Sequence, residues 1–326
     1  MARQRSVVAV LAISLGMIAC KKKEEAKTDT GSGATPGVTK KDTPVAQAQG
    51  DLGLIPVDSE AVFGVNWGQL QSSGLWKLYV EPEMQKDAEF TKNMALFKER
   101  CGFDPMTTVK RAAIGMKGLG GDMPEGIMVL HGLDKAKAMA CADKWQAEAA
   151  KEKITITKDG DVILAKDDSG EGAGMTFISD DRLLVVIGKS VDTAAVKKAA
   201  AGGSTLSTSP AFVEMYGKIN KDQSLWFLMN GNSKIFEDAA QMGLRPKAVF
   251  GSVNVTDAIT ADARARLESA DEATKTVANF GGQVKAMAGM FDKLDMTADG
   301  ADVKLSAAAS KEKLQNLMKL IAGGGM

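Results

Sequence analysis

Residues 154–165 read ITITKDGDVILA, two β-prone runs joined by Asp159-Gly160. An Asp-Gly pair between such runs is a strong signal for a tight β-hairpin. Residues 294–307 read LDMTADGADVKLSA and repeat the arrangement around Asp299-Gly300. The chain is therefore expected to form the same hairpin twice.

Other features keep a nearly constant spacing between the two copies. A long helical pattern precedes each hairpin, and the two patterns start at Asp134 and Asp271, 137 positions apart, while the Asp-Gly turns are 140 apart. An Asp there can accept hydrogen bonds from the free N–H groups of the first helical turn. We predict an α+β fold of two tandem related halves, residues 51–203 and 204–326. Each half is expected to be a mainly antiparallel sheet with helices packed on one face.

The predicted helices of the second half are one-sided. Apolar residues recur at steps of three and four, at positions 277, 280, 284, 287 and 291 and again at 314, 317, 318 and 321. We interpret Met287 and Met290 as core residues, since methionine fills irregular gaps. Gly281-Gly282 weakens its helix by about 1 kcal/mol per glycine and indicates a kink or a close helix contact.

Composition excludes several classes of function. The 276 residues from Asp51 onward carry 33 basic and 37 acidic residues, a net charge of −4. A nucleic-acid-binding protein would need a basic surface, so no nucleic-acid partner is expected. With one His and three Cys in the whole chain, a zinc site of three or four His and Cys ligands is nearly impossible. We predict no metal site and no cofactor site.

The N-terminus has the pattern of a secretory signal peptide. Arg3 and Arg5 precede an apolar run from residue 7 to residue 19, and three lysines follow Cys20 directly. The run is too short for a spanning helix, which needs roughly 20 apolar residues. Residues 1–19 are therefore predicted to be a cleaved signal.

The segment Gly16-Met17-Ile18-Ala19-Cys20 resembles the lipobox of bacterial lipoproteins. The resemblance implies cleavage after Ala19 and acylation of Cys20, including palmitate-type chains, with the lipid bilayer as partner. Met17 departs from the usual Leu. Lys21 stands where lipoproteins of the inner membrane carry Asp, so the resemblance implies the outer membrane of a bacterial envelope, on a side that the sequence does not specify.

Residues 20–50 form the predicted tether. Beyond Cys20 they are almost entirely Lys, Glu, Thr, Gly, Ser, Pro, Ala and Gln. Such a composition cannot bury enough apolar surface to offset the entropy of ordering, so this lipidated segment is expected to be flexible. A coil of about 30 residues reaches about 30 Å. The folded body is therefore expected to lie close to the membrane but free of it.

Cys101 and Cys141 leave two alternatives open. An oxidising compartment favours a disulfide, and antiparallel pairing of the strands 109–117 and 126–132 would bring the two cysteines near each other. Closing a loop of about 40 residues would stabilise the fold by roughly 3–4 kcal/mol in the chain-entropy model. The other alternative is two buried free thiols.

His131 is the only residue that a histidine-dependent catalytic apparatus could use. It ends an apolar strand and shares a face with Ile127 and Val129, which favours a hydrogen-bonded structural role. We therefore predict no catalytic residues.

The predicted function is a non-enzymatic binding or structural role in a membrane-anchored envelope lipoprotein, with an envelope protein or a lipid as further partner. The alternatives are a carrier of an apolar ligand such as a lipid and, less favoured, a His-independent hydrolase. The body from Asp51 onward also resembles, without a specific motif, secreted duplicated domains of unknown function in bacterial envelopes, and this resemblance implies no site.

Overall fold

The computed structural model describes residues 50–119, 124–233, 236 and 245–322. The signal peptide, Cys20 and the tether up to residue 49 lie outside the described residues. The described part is an α+β fold built on one antiparallel sheet of twelve strands, so the predicted fold class is confirmed.

Every neighbouring pair of strands in the sheet is antiparallel. The spatial order is β11-β12-β10-β9-β8-β1-β2-β3-β7-β6-β5-β4, which leaves β11 and β4 as the two edges. The strands are β1 Ala61–Val65, β2 Arg111–Lys117, β3 Glu125–His131, β4 Thr155–Asp159, β5 Val162–Lys166, β6 Gly172–Ser179, β7 Arg182–Gly188, β8 Leu225–Asn230, β9 Ala248–Val255, β10 Ala258–Arg266, β11 Lys293–Asp299 and β12 Asp302–Ser310.

Helices connect the strands at the ends of the sheet. A π-helix spans Trp76–Val80, and a 3-10 turn spans Ala288–Met290. The α-helices are α1 Trp67–Ser72, α2 Glu81–Lys86, α3 Ala88–Cys101, α4 Pro105–Thr108, α5 Lys135–Lys151, α6 Thr193–Ala200, α7 Pro210–Gly217, α8 Ala270–Met287 and α9 Lys311–Ala322.

Both predicted hairpins are present. In β4–β5 Asp159 pairs with Val162, and in β11–β12 Asp299 pairs with Asp302, so each loop has two residues. The first loop residue is glycine in both, Gly160 at φ 61° and Gly300 at φ 59°. This left-handed backbone is the one that glycine adopts without strain.

The two hairpins occupy different places in the sheet. β12 pairs with β10, whereas β5 pairs with β6, and the hairpin β6–β7 stands between β3 and β5. Six adjacent strands nevertheless read β3-β2-β1-β8-β9-β10, an order that is symmetric about the β1–β8 pair. Strands from both sides of the predicted boundary between residues 203 and 204 belong to one sheet. The duplication and its boundaries stay a prediction.

Helices cover both faces of the sheet, so the prediction of helices on one face is wrong. We call one side the Val62 face and the other the Phe63 face. The N-terminal segment, α6 and α7 pack on the Val62 face, and α1, α5 and α8 pack on the Phe63 face. The physical reason lies in the central strands: β3 presents Ile127 and Val129 on one face and Met128 and Leu130 on the other, and all four are buried.

The strands β10–β12 show the alternation expected of a sheet with one solvated face. Their Val62 face carries charged residues such as Arg264, Arg266 and Lys304, while alanines and Val303 lie on the Phe63 face. There α8 covers β11 and β12 through Ala273 and Val277. These outer strands therefore contribute a thinner core than β1–β3 do.

The predicted helix starts are partly correct. Asp134 caps α5, because its carboxylate accepts from Lys137 N at 2.9 Å. Ser269, rather than Asp271, caps α8, with its hydroxyl accepting from Glu272 N at 3.2 Å. Asp271 lies in the first turn, where a negative charge is still favourable.

The glycines in α8 do not mark a close contact. The helix continues through Gly281 and Gly282, and no described atom outside it lies within 4 Å of where a Cβ would stand on either. In contrast, a Cβ on Gly64 in β1 would overlap the indole of Trp226, which stands opposite it on β8.

We expect Gly64→Ala to lower the free energy of unfolding by about 1–3 kcal/mol, because the added methyl group overpacks the centre of the sheet. Gly281→Ala is the matched control, and it should raise the same quantity by about 0.5–1 kcal/mol through helix propensity alone. Urea unfolding followed by circular dichroism measures both. Equal effects of the two substitutions would contradict the close approach of β1 and β8.

Candidate functional site

A buried charge cluster surrounds Asp51. This residue is 0% exposed, and His131 Nε2 lies 2.9 Å from both of its carboxylate oxygens. Arg111 Nη2 donates to Asp51 Oδ2 at 3.3 Å, and Arg182 Nη1 lies 3.8 Å from Oδ1. One carboxylate is thus held by basic side chains from three strands.

Strand register explains why these basic residues meet. Arg111 is the first residue of β2 and pairs with His131, the last residue of β3, which in turn pairs with Arg182 at the start of β7. Residues directly opposite one another project from the same face, so the three form a row on the Val62 face. Asp51 reaches that row from the segment before β1.

The cluster is built to hold the chain in place. His131 is only 6% exposed, and the adjoining Tyr216 on α7 is buried as well. Burial, and then the Asp51 carboxylate, raise the pKa of the Tyr216 hydroxyl. Burial also lowers the pKa of the Arg111 guanidinium, an effect that Asp51 opposes. The predicted structural role of His131 agrees with these contacts.

Leu52 and Ile55 follow Asp51 and enter the core next to α7. Both are buried, with Phe212, Tyr216 and Val62 in the same cluster. The first residues of the described chain are therefore fixed by the charge cluster at Asp51 and by the buried side chains of Leu52 and Ile55. Sequence reasoning did not find this cluster, because residues 51–55 have no periodic pattern.

A second charge cluster joins α7 to the outer strands. Lys218, just after α7, donates to the buried Asp302 at 2.8 Å, and Arg266 Nε donates to the same carboxylate. Glu214 on α7 accepts from Arg266 Nη1 at 3.0 Å. Burial alone would raise the pKa of the Asp302 carboxyl, but hydrogen bonds from Arg266 and Lys218 hold it below its ordinary value.

The structure pairs Cys101 with Cys141 in a disulfide. Cys101 ends α3, Cys141 lies in α5, and their Cα atoms are 4.7 Å apart. Trp145 Nε1 donates to Cys101 Sγ at 3.0 Å, and the Phe97 ring lies beside the indole. The bond is buried, and it links α3 to α5, which packs on the Phe63 face of the sheet.

An open cleft of about 590 Å³ lies at one end of the sheet. The π-helix, the turn between β9 and β10 and the start of α9 form its walls. Its lining combines apolar and charged side chains: Leu75, Leu78, Lys77, Lys311, Asp257 and Glu312. Such a lining suits a small amphiphilic molecule with both an apolar part and a polar part.

Half-buried apolar residues run across the centre of the Phe63 face. They are Phe63, Phe227, Met229, Val249 and Val253, on β1, β8 and β9. Within the part of the chain that the structure describes, none of them belongs to a cluster of buried residues. As far as the described residues show, the middle of this face is therefore packed less completely than its two ends.

Over the described ranges, no group of three or more His, Cys, Asp and Glu side chains could hold a metal ion. No helix in the same ranges is both long and apolar enough to cross a membrane. The chain matches no protein-family model, no curated protein and no solved structure. Proposals for function therefore rest on the residues themselves.

We expect Asp51→Asn to lower the free energy of unfolding by about 3–5 kcal/mol, because it removes the negative charge that the buried Arg111 and the partly buried Arg182 face. Amide hydrogen exchange should also accelerate at residues 51–55, which lose their anchor. Denaturant unfolding and exchange mass spectrometry measure the two effects.

Asp58→Asn is the matched control. Asp58 pairs with Lys117 at 3.4 Å on the surface, and both side chains are exposed. An exposed pair contributes about 0–1 kcal/mol. If the two substitutions had the same small effect, Asp51 would not be the anchor of the segment.

Proposed function

We propose that this protein is a lipid-anchored protein of a bacterial envelope with a non-enzymatic binding or structural role. The lipobox-like segment ending at Cys20 and the polar residues 21–50 support the anchor and the tether. The body that follows would then be held at a membrane by two or more acyl chains, which anchor more firmly than one chain does.

The observation that carries the proposal is the burial of Asp51. Its contacts fix the point where the tether would enter the folded body, with three basic side chains on one carboxylate. The same contacts engage the only histidine of the chain, so its imidazole serves the attachment of this segment. In a protein anchored through its N-terminus, any force on the anchor acts on the segment around Asp51. The buried contacts of Asp51 would keep that segment attached to the fold.

Replacing Cys20 tests the anchor. In cells fed labelled palmitate, the wild-type protein should carry the label and fractionate with membranes. Cys20→Ser should lose the label and move to the soluble fraction, because the acylated thiol is gone. The double variant Cys101→Ser/Cys141→Ser is the control, and it should keep the label.

Retention of Cys20→Ser in the membrane fraction would contradict the anchoring argument. The predicted outer-membrane location has its own readout: Lys21→Asp should keep the label and shift the protein to the inner-membrane fraction.

A second candidate function, a carrier of an apolar ligand, is favoured by the cleft and the half-buried strip on the Phe63 face. A volume of about 590 Å³ falls in the range of small-molecule sites. In this version the apolar part of a lipid would lie against Leu75 and Leu78.

Native mass spectrometry on protein released gently from its own membranes tests the carrier. We expect a stoichiometric adduct of lipid mass. Leu78→Glu, in the cleft, should remove it, whereas Val213→Glu, at a similarly exposed position on α7, should keep it. A clean mass for the wild-type protein would exclude the carrier and leave the structural role.

A further inference from the structure

Helix α9 is amphipathic, and its described side chains are not buried. Leu314 and Leu317 on its apolar side are half-buried, and Met318 beside them is 43% exposed. At 100° per residue, Lys311 and Lys313 stand on either side of this apolar arc. Part of the apolar side of α9, and Met318 above all, is therefore in contact with solvent.

Met287 is a further exposed apolar residue close to α9. It continues the apolar stripe of α8, yet it is 43% exposed, so the interpretation of Met287 as a core residue is wrong. The turn Ala288–Met290 follows it directly, and Lys313 Nζ donates to Gly289 O in that turn at 2.6 Å. We call Met287 together with α9 the α9 face.

The charge of the α9 face is opposite to that of the body. Helix α9 carries three lysines, Lys311, Lys313 and Lys319, against the single acid Glu312, and the last turn of α8 adds Lys285 close to Met287. The body from Asp51 onward has a net charge of −4. A negatively charged surface would therefore attract this face and repel the rest, which orients the molecule.

We propose that the α9 face is a peripheral membrane-contact surface that docks the folded body on anionic phospholipid. Exposed apolar side chains flanked by lysines are the pattern of helices that lie in the plane of a bilayer interface. The methionines enter the boundary of the acyl chains, and the lysines contact lipid phosphates. The inference rests on the proposed function, because an acylated Cys20 would hold this face within reach of a bilayer.

A second copy of the chain is the competing occupant. Two α9 faces brought together would each place an excess of positive charge against the other, and such juxtaposition is unfavourable. The charge of the face therefore favours a lipid surface over self-association.

Vesicle sedimentation tests the proposal on the mature chain from residue 20 carrying Cys20→Ser, so that no acyl chain contributes. We expect binding to vesicles of phosphatidylcholine mixed with phosphatidylglycerol, and little binding to phosphatidylcholine alone. Met287→Ser/Met318→Ser should weaken binding by about tenfold, since it removes exposed apolar groups. Lys311→Gln/Lys313→Gln should weaken it by about tenfold or more, with a smaller dependence on salt.

Val213→Ser is the matched control, since Val213 is 47% exposed but lies on α7, away from the α9 face. It should bind as the parent chain does, and the thermal unfolding of each variant verifies the fold. If the methionine variant bound as tightly as its parent, the lysines of the tether would account for binding and the proposal would be overturned. A dimer in solution that the methionine substitutions dissociate would equally overturn it in favour of a second copy.

Failure here is distinguishable from failure of the anchor. Palmitate labelling reports on Cys20 in cells, whereas the vesicle assay lacks that group. Labelling without vesicle binding would leave the anchor and remove the docking surface. Vesicle binding that depends on Met287 and Met318, without labelling, would support docking and remove the anchor.

Discussion

The antiparallel pairing of β1 with β8 is the contact on which the rest of the structure depends. It joins strands that are more than 150 positions apart in sequence, and it makes one sheet from the N-terminal and C-terminal parts of the chain. Close approach at this pair requires Gly64, because the indole of Trp226 occupies the place of a side chain there. Without the pair, Val62 and Leu228 would lose their shared core with α7.

Local signals accounted for much of the fold. The hairpins followed from Asp-Gly pairs, since a glycine at the first loop position relieves backbone strain whatever surrounds it. The cap at Asp134 and the structural role of His131 were also local inferences. The covering of both sheet faces was not predicted, because β3 is apolar on both sides, and a continuous apolar run does not show how many layers bury it.

The features that bear on function were harder to read from sequence. Asp51 acquires its role only when register aligns Arg111, His131 and Arg182 across three strands, and no spacing in the chain reveals that row. Met287 fitted a helical stripe and was therefore assigned to the core. Its exposure reflects where α8 ends relative to the sheet, which periodicity does not determine.

The two edge strands of the sheet, β4 and β11, bear on how the protein behaves at high concentration. Among the described residues no strand pairs with the outer side of β4 or β11, and such an edge is a template onto which a neighbouring chain could add a strand. Exposed charges interrupt both templates, with Lys158 and Asp159 on β4 and Lys293, Asp295 and Asp299 on β11. Such charges oppose end-to-end growth of the sheet into fibres, so that copies of the chain at high local concentration remain separate molecules.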